Sequence, residues 1–131
     1  MADVPVLDSD VLIDYLRGKG PGRELVQSLS RGTGYRVTAV TAFELALGRS
    51  YRANPRPVHA LLAAPLLTLS RRAALRGGEL LSRLREAGVA IDVRDAMQAG
   101  ICLEAGTALV TRNGAHLDRV PGLLVRHPSE L

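Results

Sequence analysis

Val4-Pro5-Val6-Leu7-Asp8-Ser9-Asp10-Val11-Leu12-Ile13-Asp14 is the stretch on which the fold turns. A short apolar run stops abruptly on acids, the pattern of a buried strand that ends at Asp8 and passes straight into a helix. A second stretch, Val93-Arg94-Asp95-Ala96-Met97-Gln98-Ala99-Gly100, carries an acid near a helix start, and Ala108-Leu109-Val110-Thr111-Arg112-Asn113 follows it. If the apolar runs at 4–7 and 108–111 are neighbouring parallel strands, the acids meet at one edge of one sheet, and Glu44 can join them. Acids clustered without bases repel one another, so a cluster of this kind usually exists to hold a hard divalent cation.

Outward from these runs, strand and helix alternate. A helix over 10–17 is ended by Gly18 and Gly20, Pro21 suits a first helical position, and 24–30 continue a second helix with Leu25, Val26 and Leu29 on one face. Gly32 and Gly34 turn the chain into a strand at 35–38. A helix then runs through Phe43, Leu45, Ala46 and Leu47, and Pro55 and Pro57 end it or lead into the next one. A third strand is expected at 66–69. The amphipathic segment 71–87 buries Ala74, Leu75, Leu80, Leu81 and Leu84 and closes at Gly88. A helix from about 94 to 105, capped by Gly106, leads into the strand at 108–111, and a last strand at 123–126 ends the fold. Such alternation implies βαβ units, a parallel sheet and helices on both faces. Sheets of this kind bind ligands outside the carboxyl ends of their strands, where Asp8 and Asn113 lie.

With 131 residues, 47% hydrophobic and 23% charged, the chain suffices for one domain with a real core. Met1-Ala2-Asp3-Val4 has no basic or long apolar signal-peptide region, and the apolar stretch at 61–69 is broken by Pro65 and too short for a bilayer. The single cysteine, Cys102, excludes an internal disulfide and suits a reducing cytoplasm, so a cytoplasmic protein without membrane contact is expected. The net charge is +4, and Lys19 is the one lysine beside the arginines. That excess attracts phosphates or an acidic partner. The aromatics are Tyr15, Tyr35, Tyr51 and Phe43, too few for a base-stacking platform, so a nucleic acid would be held by its backbone.

Each acid also has a structural reading. Thr41-Ala42-Phe43-Glu44 fits a capping box, and Asp92 can cap a helix whose positive end Asp95 favours. Asp8 is harder to explain in this way, because Ser9 or Asp10 would already cap the first helix. Asp10 reads as a cap or as an acid standing behind the site, and Asp14 as solvated or paired with Arg17. Arg112 reads as a surface charge or a phosphate contact. His116 has no cysteine or second histidine nearby for a zinc site.

The order of the elements weighs these readings. Strand-Asp8-Ser-Asp10-Val-Leu-Ile-Asp14, then Thr41-Ala-Phe-Glu44-Leu, then Asp95-Ala-Met-Gln-Ala-Gly, then Leu109-Val-Thr-Arg-Asn113-Gly-Ala-His116 resembles the PIN-domain family over nearly the whole chain. Within that family the likeness is to VapC-type toxins of toxin–antitoxin pairs. The resemblance implies a three-layer α/β/α sandwich with a central, mainly parallel sheet. It also implies a divalent-metal-dependent ribonuclease, using Mg²⁺ or Mn²⁺, that cleaves single-stranded or looped RNA and leaves a 3′-hydroxyl. A small VapB-type antitoxin and a homodimer are further implications.

By position, Asp8, Glu44 and Asp95 match the family's core acids, with Asp8 and Asp95 on the metal and Glu44 binding directly or through water. Asn113 stands at the fourth acidic position and offers a carbonyl oxygen without charge. His116 takes a place where other members carry an acid or His, and Asp118 lies further into the loop. Arg112 would add a positive contact to the phosphate. A rival resemblance, of Val6-Leu7-Asp8-Ser9-Asp10-Val11-Leu12 to haloacid-dehalogenase-like phosphatases, makes Asp8 a nucleophile and Asp10 the acid/base. It lacks the later lysine and the adjacent acid pair which that chemistry needs. A catalytically idle domain serving as a partner in a repressor complex is the third reading. The partner's tail is expected along the helices at 10–17 and 24–30, on apolar surface left by Val11, Leu12, Tyr15, Leu16, Leu25, Val26 and Leu29.

Overall fold

The structure, a computed structural model, describes residues 4–131. In chain order the elements are β1 (Val6–Leu7), α1 (Ser9–Arg17), α2 (Pro21–Arg31), β2 (Val37–Thr38), α3 (Ala39–Leu47), α4 (Arg49–Ala53), α5 (Arg56–Leu61), β3 (Leu66–Leu67), α6 (Arg71–Glu86), α7 (Val93–Ala105), β4 (Leu109–Val110), α8 (Gly114–Leu117), β5 (Val125–Arg126) and a closing 3₁₀ turn, Pro128–Glu130. The strands lie where the apolar runs place them but are shorter, two residues each. The short helix α8 and the 3₁₀ turn have no periodic signal in the sequence.

All the pairing is parallel. Val6 faces Leu109 and Leu7 faces Val110, while Leu109 and Val110 face Val125 and Arg126 on their other side. Val37 and Thr38 pair with Leu66 and Leu67. A parallel bridge between Val6 and Arg36 joins the two groups, giving the order β3-β2-β1-β4-β5. From β1 the chain first builds one flank of the sheet and then returns to build the other. The order therefore reverses between β1 and β4, and the crevice at their carboxyl ends is where such a sheet binds ligands.

The period of two along each strand divides the core. Leu7, Val37 and Val110 point to one face and pack with Val11, Leu12, Leu25, Val26, Leu45, Val58 and Leu61. Val6 and Leu109 point to the other and pack with Leu84, Ala99, Cys102, Leu117 and Val120. Both faces are covered, so the strands read as continuous apolar runs rather than as alternation. This is the three-layer α/β/α sandwich that the order of elements implies.

Two expectations about helix faces are corrected. On α6, Ala74 is exposed, Leu75 is 60% exposed, and Leu80 and Leu81 are half-buried; Ala73, Gly77 and Leu84 form the inward face. The reason is the closeness of α7. A methyl at Gly100 would lie 2.4 Å from the Ala73 carbonyl oxygen, and one at Gly77 would lie 2.8 Å from that of Ala96. Small residues let the two backbones touch, and leucines would hold them apart. On α1 and α2, Val11, Leu12, Leu25 and Val26 are buried and Leu16 and Leu29 partly so, leaving Tyr15 as the exposed large side chain of that set. On the neighbouring α3, Phe43 (56%) and Leu47 (58%) are more exposed than Tyr15.

The α6–α7 seam gives a direct test. Gly100→Ala is expected to destabilise the fold by about 1–3 kcal/mol, because the added methyl meets backbone that cannot swing away. Gly78→Ala, at an exposed helical position with nothing within 4 Å of the added carbon, should stabilise it, by about 0.5–1 kcal/mol. Urea unfolding of the two variants checks both signs.

Candidate active site

Asp8 is the first residue past β1, and its backbone N–H continues the sheet by donating to the Val110 carbonyl at 2.9 Å. Its side chain caps α1, with Oδ1 accepting from the Ser9 N–H at 2.9 Å. The cap is thus Asp8 itself and not Ser9 or Asp10. The same Oδ1 accepts from Gln98 Nε2 at 3.2 Å, and Oδ2 accepts from the Thr111 hydroxyl at 2.8 Å. Burial pushes the Asp8 carboxyl above its usual range, against the pull of those hydrogen bonds.

Gln98 and Thr111 are the residues that the sequence reading does not assign. Gln98 is 2% exposed. Its Nε2 donates to Asp8 and, at 3.1 Å, to Thr41 Oγ1, while its Oε1 accepts from the Thr38 hydroxyl. Both amide ends are satisfied, which makes burial of the group tolerable and fixes one side of Asp8. The signal was a spacing: Asp95 and Gln98 lie three apart on α7 and share a helix face.

Thr111 stands between two acids. Its hydroxyl lies 2.8 Å from Asp8 Oδ2 and 3.1 Å from Asp10 Oδ2, and its oxygen accepts from the Asn113 N–H at 3.0 Å. One hydroxyl proton cannot serve both carboxylates at once. Asp10 also accepts from the Arg112 N–H at 3.0 Å, but its Oδ1 is buried without a partner. Burial, with the Asp8 charge second, pushes Asp10 up to about 6.

Glu44 projects from α3. The capping-box reading does not hold, because the cap of α3 is Thr38, whose hydroxyl accepts from the Thr41 N–H at 3.1 Å. Glu44 Oε1 instead accepts from the Ser9 hydroxyl at 3.3 Å, and Oε2 lies 3.8 Å from Arg94. Asp92 does cap α7, through the Arg94 N–H at 2.8 Å, leaving Asp95 in the first turn. The carboxyls of both Glu44 and Asp95 are raised, by burial first and then by the Asp8 charge; Arg94 opposes this at both, and His116 at Asp95. Asp8, Glu44 and Asp95 therefore feel one another across three elements.

The loop after β4 contributes less than the acids. Asn113 is exposed and precedes α8 without a side-chain cap, and Asp118 is exposed at that helix's end. His116, exposed on α8, reaches the site through its effect on Asp95. Arg112 is held by Asp14, whose Oδ2 lies 3.3 Å from its Nε. Asp14 is neither solvated nor paired with Arg17: it is 5% exposed and also accepts the Gly22 N–H at 2.9 Å. The turn after α1 folds α2 back over it.

The donors at this sheet edge are hard carboxylate oxygens, raised by burial first and, at Asp10, Glu44 and Asp95, then by the Asp8 charge, and one of them, Asp10 Oδ1, has no partner. That donor set suits Mg²⁺ or Mn²⁺ rather than a soft metal. Among the described residues no three His, Cys, Asp or Glu side chains already stand as a closed cage.

Comparison with known proteins bears on the fold and the family. No curated protein matches the chain by sequence. Among solved structures, VapBC-1 from nontypeable Haemophilus influenzae is similar at TM-score 0.79 and 18% identity, covering 97% of this chain and 99% of that one. VapBC2 from Rickettsia felis, solved bound to a DNA fragment from its promoter, gives TM-score 0.78 at 15% identity, with 95% and 98% covered. VapBC-5 from Mycobacterium tuberculosis, a member of the VapBC family of toxin-antitoxin systems, gives 0.70 at 20% identity, with 96% and 99% covered. The family model described as PIN domain matches residues 6–123, and the chain belongs to the PIN domain family.

Proposed function

We propose that this PIN domain is a divalent-metal-dependent ribonuclease and the toxin of a toxin–antitoxin pair. The observation that carries the reading is the mutual charge coupling of Asp8, Glu44 and Asp95 at the β1–β4 edge, in a chain whose net charge is +4. Asp8 and Asp95 would hold the ion, with Glu44 binding directly or through water. When bound, Mg²⁺ or Mn²⁺ supplies a more acidic water and stabilises charge on a phosphate. Gln98 and Thr111 keep Asp8 in one orientation. Asp10 shares the Thr111 hydroxyl with Asp8 and stands behind it. Arg112 offers a cation to the RNA backbone, and Asn113 and His116 complete the rim.

The toxin reading draws on the solved relatives, which are VapBC assemblies. It brings a small antitoxin, a homodimer and a cytoplasmic location. No helix of the described residues is long and apolar enough to cross a membrane. Phe43, beside Glu44 in sequence, and Leu47, three residues after it, leave apolar surface for such a partner on α3. Membership of the PIN family leaves the phosphatase resemblance without support. The missing charge at Asn113 favours one second reading, an idle PIN domain that serves only in a repressor complex. RNA cleavage by the purified chain with Mg²⁺ separates the two.

Asp8→Asn and Asp95→Asn are expected to abolish that cleavage with the fold intact, and Glu44→Gln to leave a remnant; full activity of Asp8→Asn would remove the metal-site assignment. Asn113→Asp should tighten Mg²⁺ binding in titration calorimetry, and an unchanged affinity would place residue 113 outside the metal shell. The raised carboxyls also set a pH dependence. A folded state with raised acids binds protons that the unfolded chain has already lost, so stability falls as pH rises from the ordinary carboxylate range through the folded values. For Asp10 that window runs from 3.8 to about 6. Without divalent ions the melting temperature should be higher near about pH 5 than near about pH 7.5, with Mg²⁺ narrowing the difference.

A further inference from the structure

Asp14 is a buried carboxylate outside the acid cluster, and the space around it is shaped to admit it. A carbon added at Gly20 would fall 2.6 Å from the Asp14 carboxyl carbon, and one at Gly22 would fall 2.5 Å from the Val11 carbonyl oxygen. Gly20 also has φ +93, which other residues rarely adopt. The glycines of the α1–α2 turn thus leave the room into which Asp14 fits. There its Oδ2 accepts the Gly22 N–H at 2.9 Å and meets Arg112 Nε at 3.3 Å.

Arg112 lies far along the chain, on the loop that leaves β4. That loop is fastened to α1 three times: the Thr111 hydroxyl lies 3.1 Å from Asp10 Oδ2, the Arg112 N–H donates to the same oxygen at 3.0 Å, and the guanidinium is held by Asp14 one helical turn further on. The next residue is Asn113, and α8 with His116 follows directly. The Arg112 side chain is 40% exposed, whereas that of Asp14 is 7% exposed. A guanidinium carries five donors in a fixed fork, so engagement at Nε leaves terminal N–H groups for a second anion. A charge pair with one member buried is also more constrained than a surface pair between two mobile side chains.

We propose that Asp14 is a positioning residue of the active site. Through Arg112 it fixes the loop that presents Asn113 and His116 beside the acids, and it holds the guanidinium in place for a phosphate of the RNA backbone. The phosphate contact rests on the nuclease reading above; the fixing of the loop does not.

Asp14→Asn tests this, because the amide oxygen still accepts the Gly22 N–H while the charge that holds Arg112 is gone. Arg112→Gln removes the other half from an exposed position, leaves the Asp14–Gly22 bond untouched, and serves if the first variant fails to fold. In the full chain without RNA, amide hydrogen exchange over 112–117 should accelerate at least about tenfold in either variant while that of α7 stays unchanged. Unaltered exchange of the loop overturns the proposal. With a short RNA and Mg²⁺, kcat/KM should fall about tenfold in each single variant and no further in the double variant, because the two residues act as one unit. Losses that add in the double variant overturn action through Arg112. If the unaltered chain does not cleave RNA, the nuclease reading falls, and the exchange measurement still decides whether Asp14 fixes the loop.

Discussion

The burial of Asp8 at the end of the central strand is the constraint around which the rest of this protein is arranged. A carboxylate almost wholly removed from water is costly unless it is hydrogen-bonded, and here four elements supply the partners or the opposition. The start of α1 gives a backbone N–H, α7 gives Gln98, and the end of β4 gives Thr111. Helix α3 brings Glu44, whose own ionisation Asp8 makes harder. The parallel strands are short, so the sheet contributes mainly alignment. Packing on both faces holds the helix ends where these side chains can meet.

The fold was legible because its signals are local. Apolar runs bounded by acids and glycines mark the strands, and the alternation with helices dictates a parallel sheet with both faces covered. What the sequence did not reveal is which face of α6 turns inward. A stripe of leucines is the more hydrophobic choice, but the seam of Ala73, Gly77 and Gly100 allows backbone contact that leucines forbid. That preference depends on two helices at once and has no signature in either alone. Most of the apolar residues of α1 and α2 are buried for a reason of the same kind: the room beneath them is set by Tyr35, Val58 and Leu61 from later elements.

The candidate site divides along the same line. Asp8, Glu44 and Asp95 stand out as candidates because the order of elements leads toward one sheet edge, with Asp8 just past a strand, Asp95 in the first turn of α7 and Glu44 in the second half of α3. The groups that hold them do not. Gln98 looks like an ordinary helical residue until Thr38 and Thr41 are brought to it. Thr111 reads as the tail of a strand. Asp14 has a plausible partner three residues away in Arg17, and its actual partner lies nearly a hundred residues later. Polar burial is a tertiary property, and partners chosen by the fold override those nearest in sequence.

The double duty of Asp8, as helix cap and as the most buried acid of the Asp8, Asp10, Glu44 and Asp95 cluster, bears on how such a protein changes over generations. Asn caps a helix about as well as Asp, so exchange of one for the other keeps α1 anchored while removing a charge that burial disfavours. On the proposed nuclease reading, loss of the metal-binding charge at this position is therefore favoured by folding energetics, and selection for cleavage is what must oppose it. Once that selection relaxes, lineages should accumulate well-folded, silent descendants sooner than unfolded ones. On the same reading, those descendants would keep the surface offered to an antitoxin.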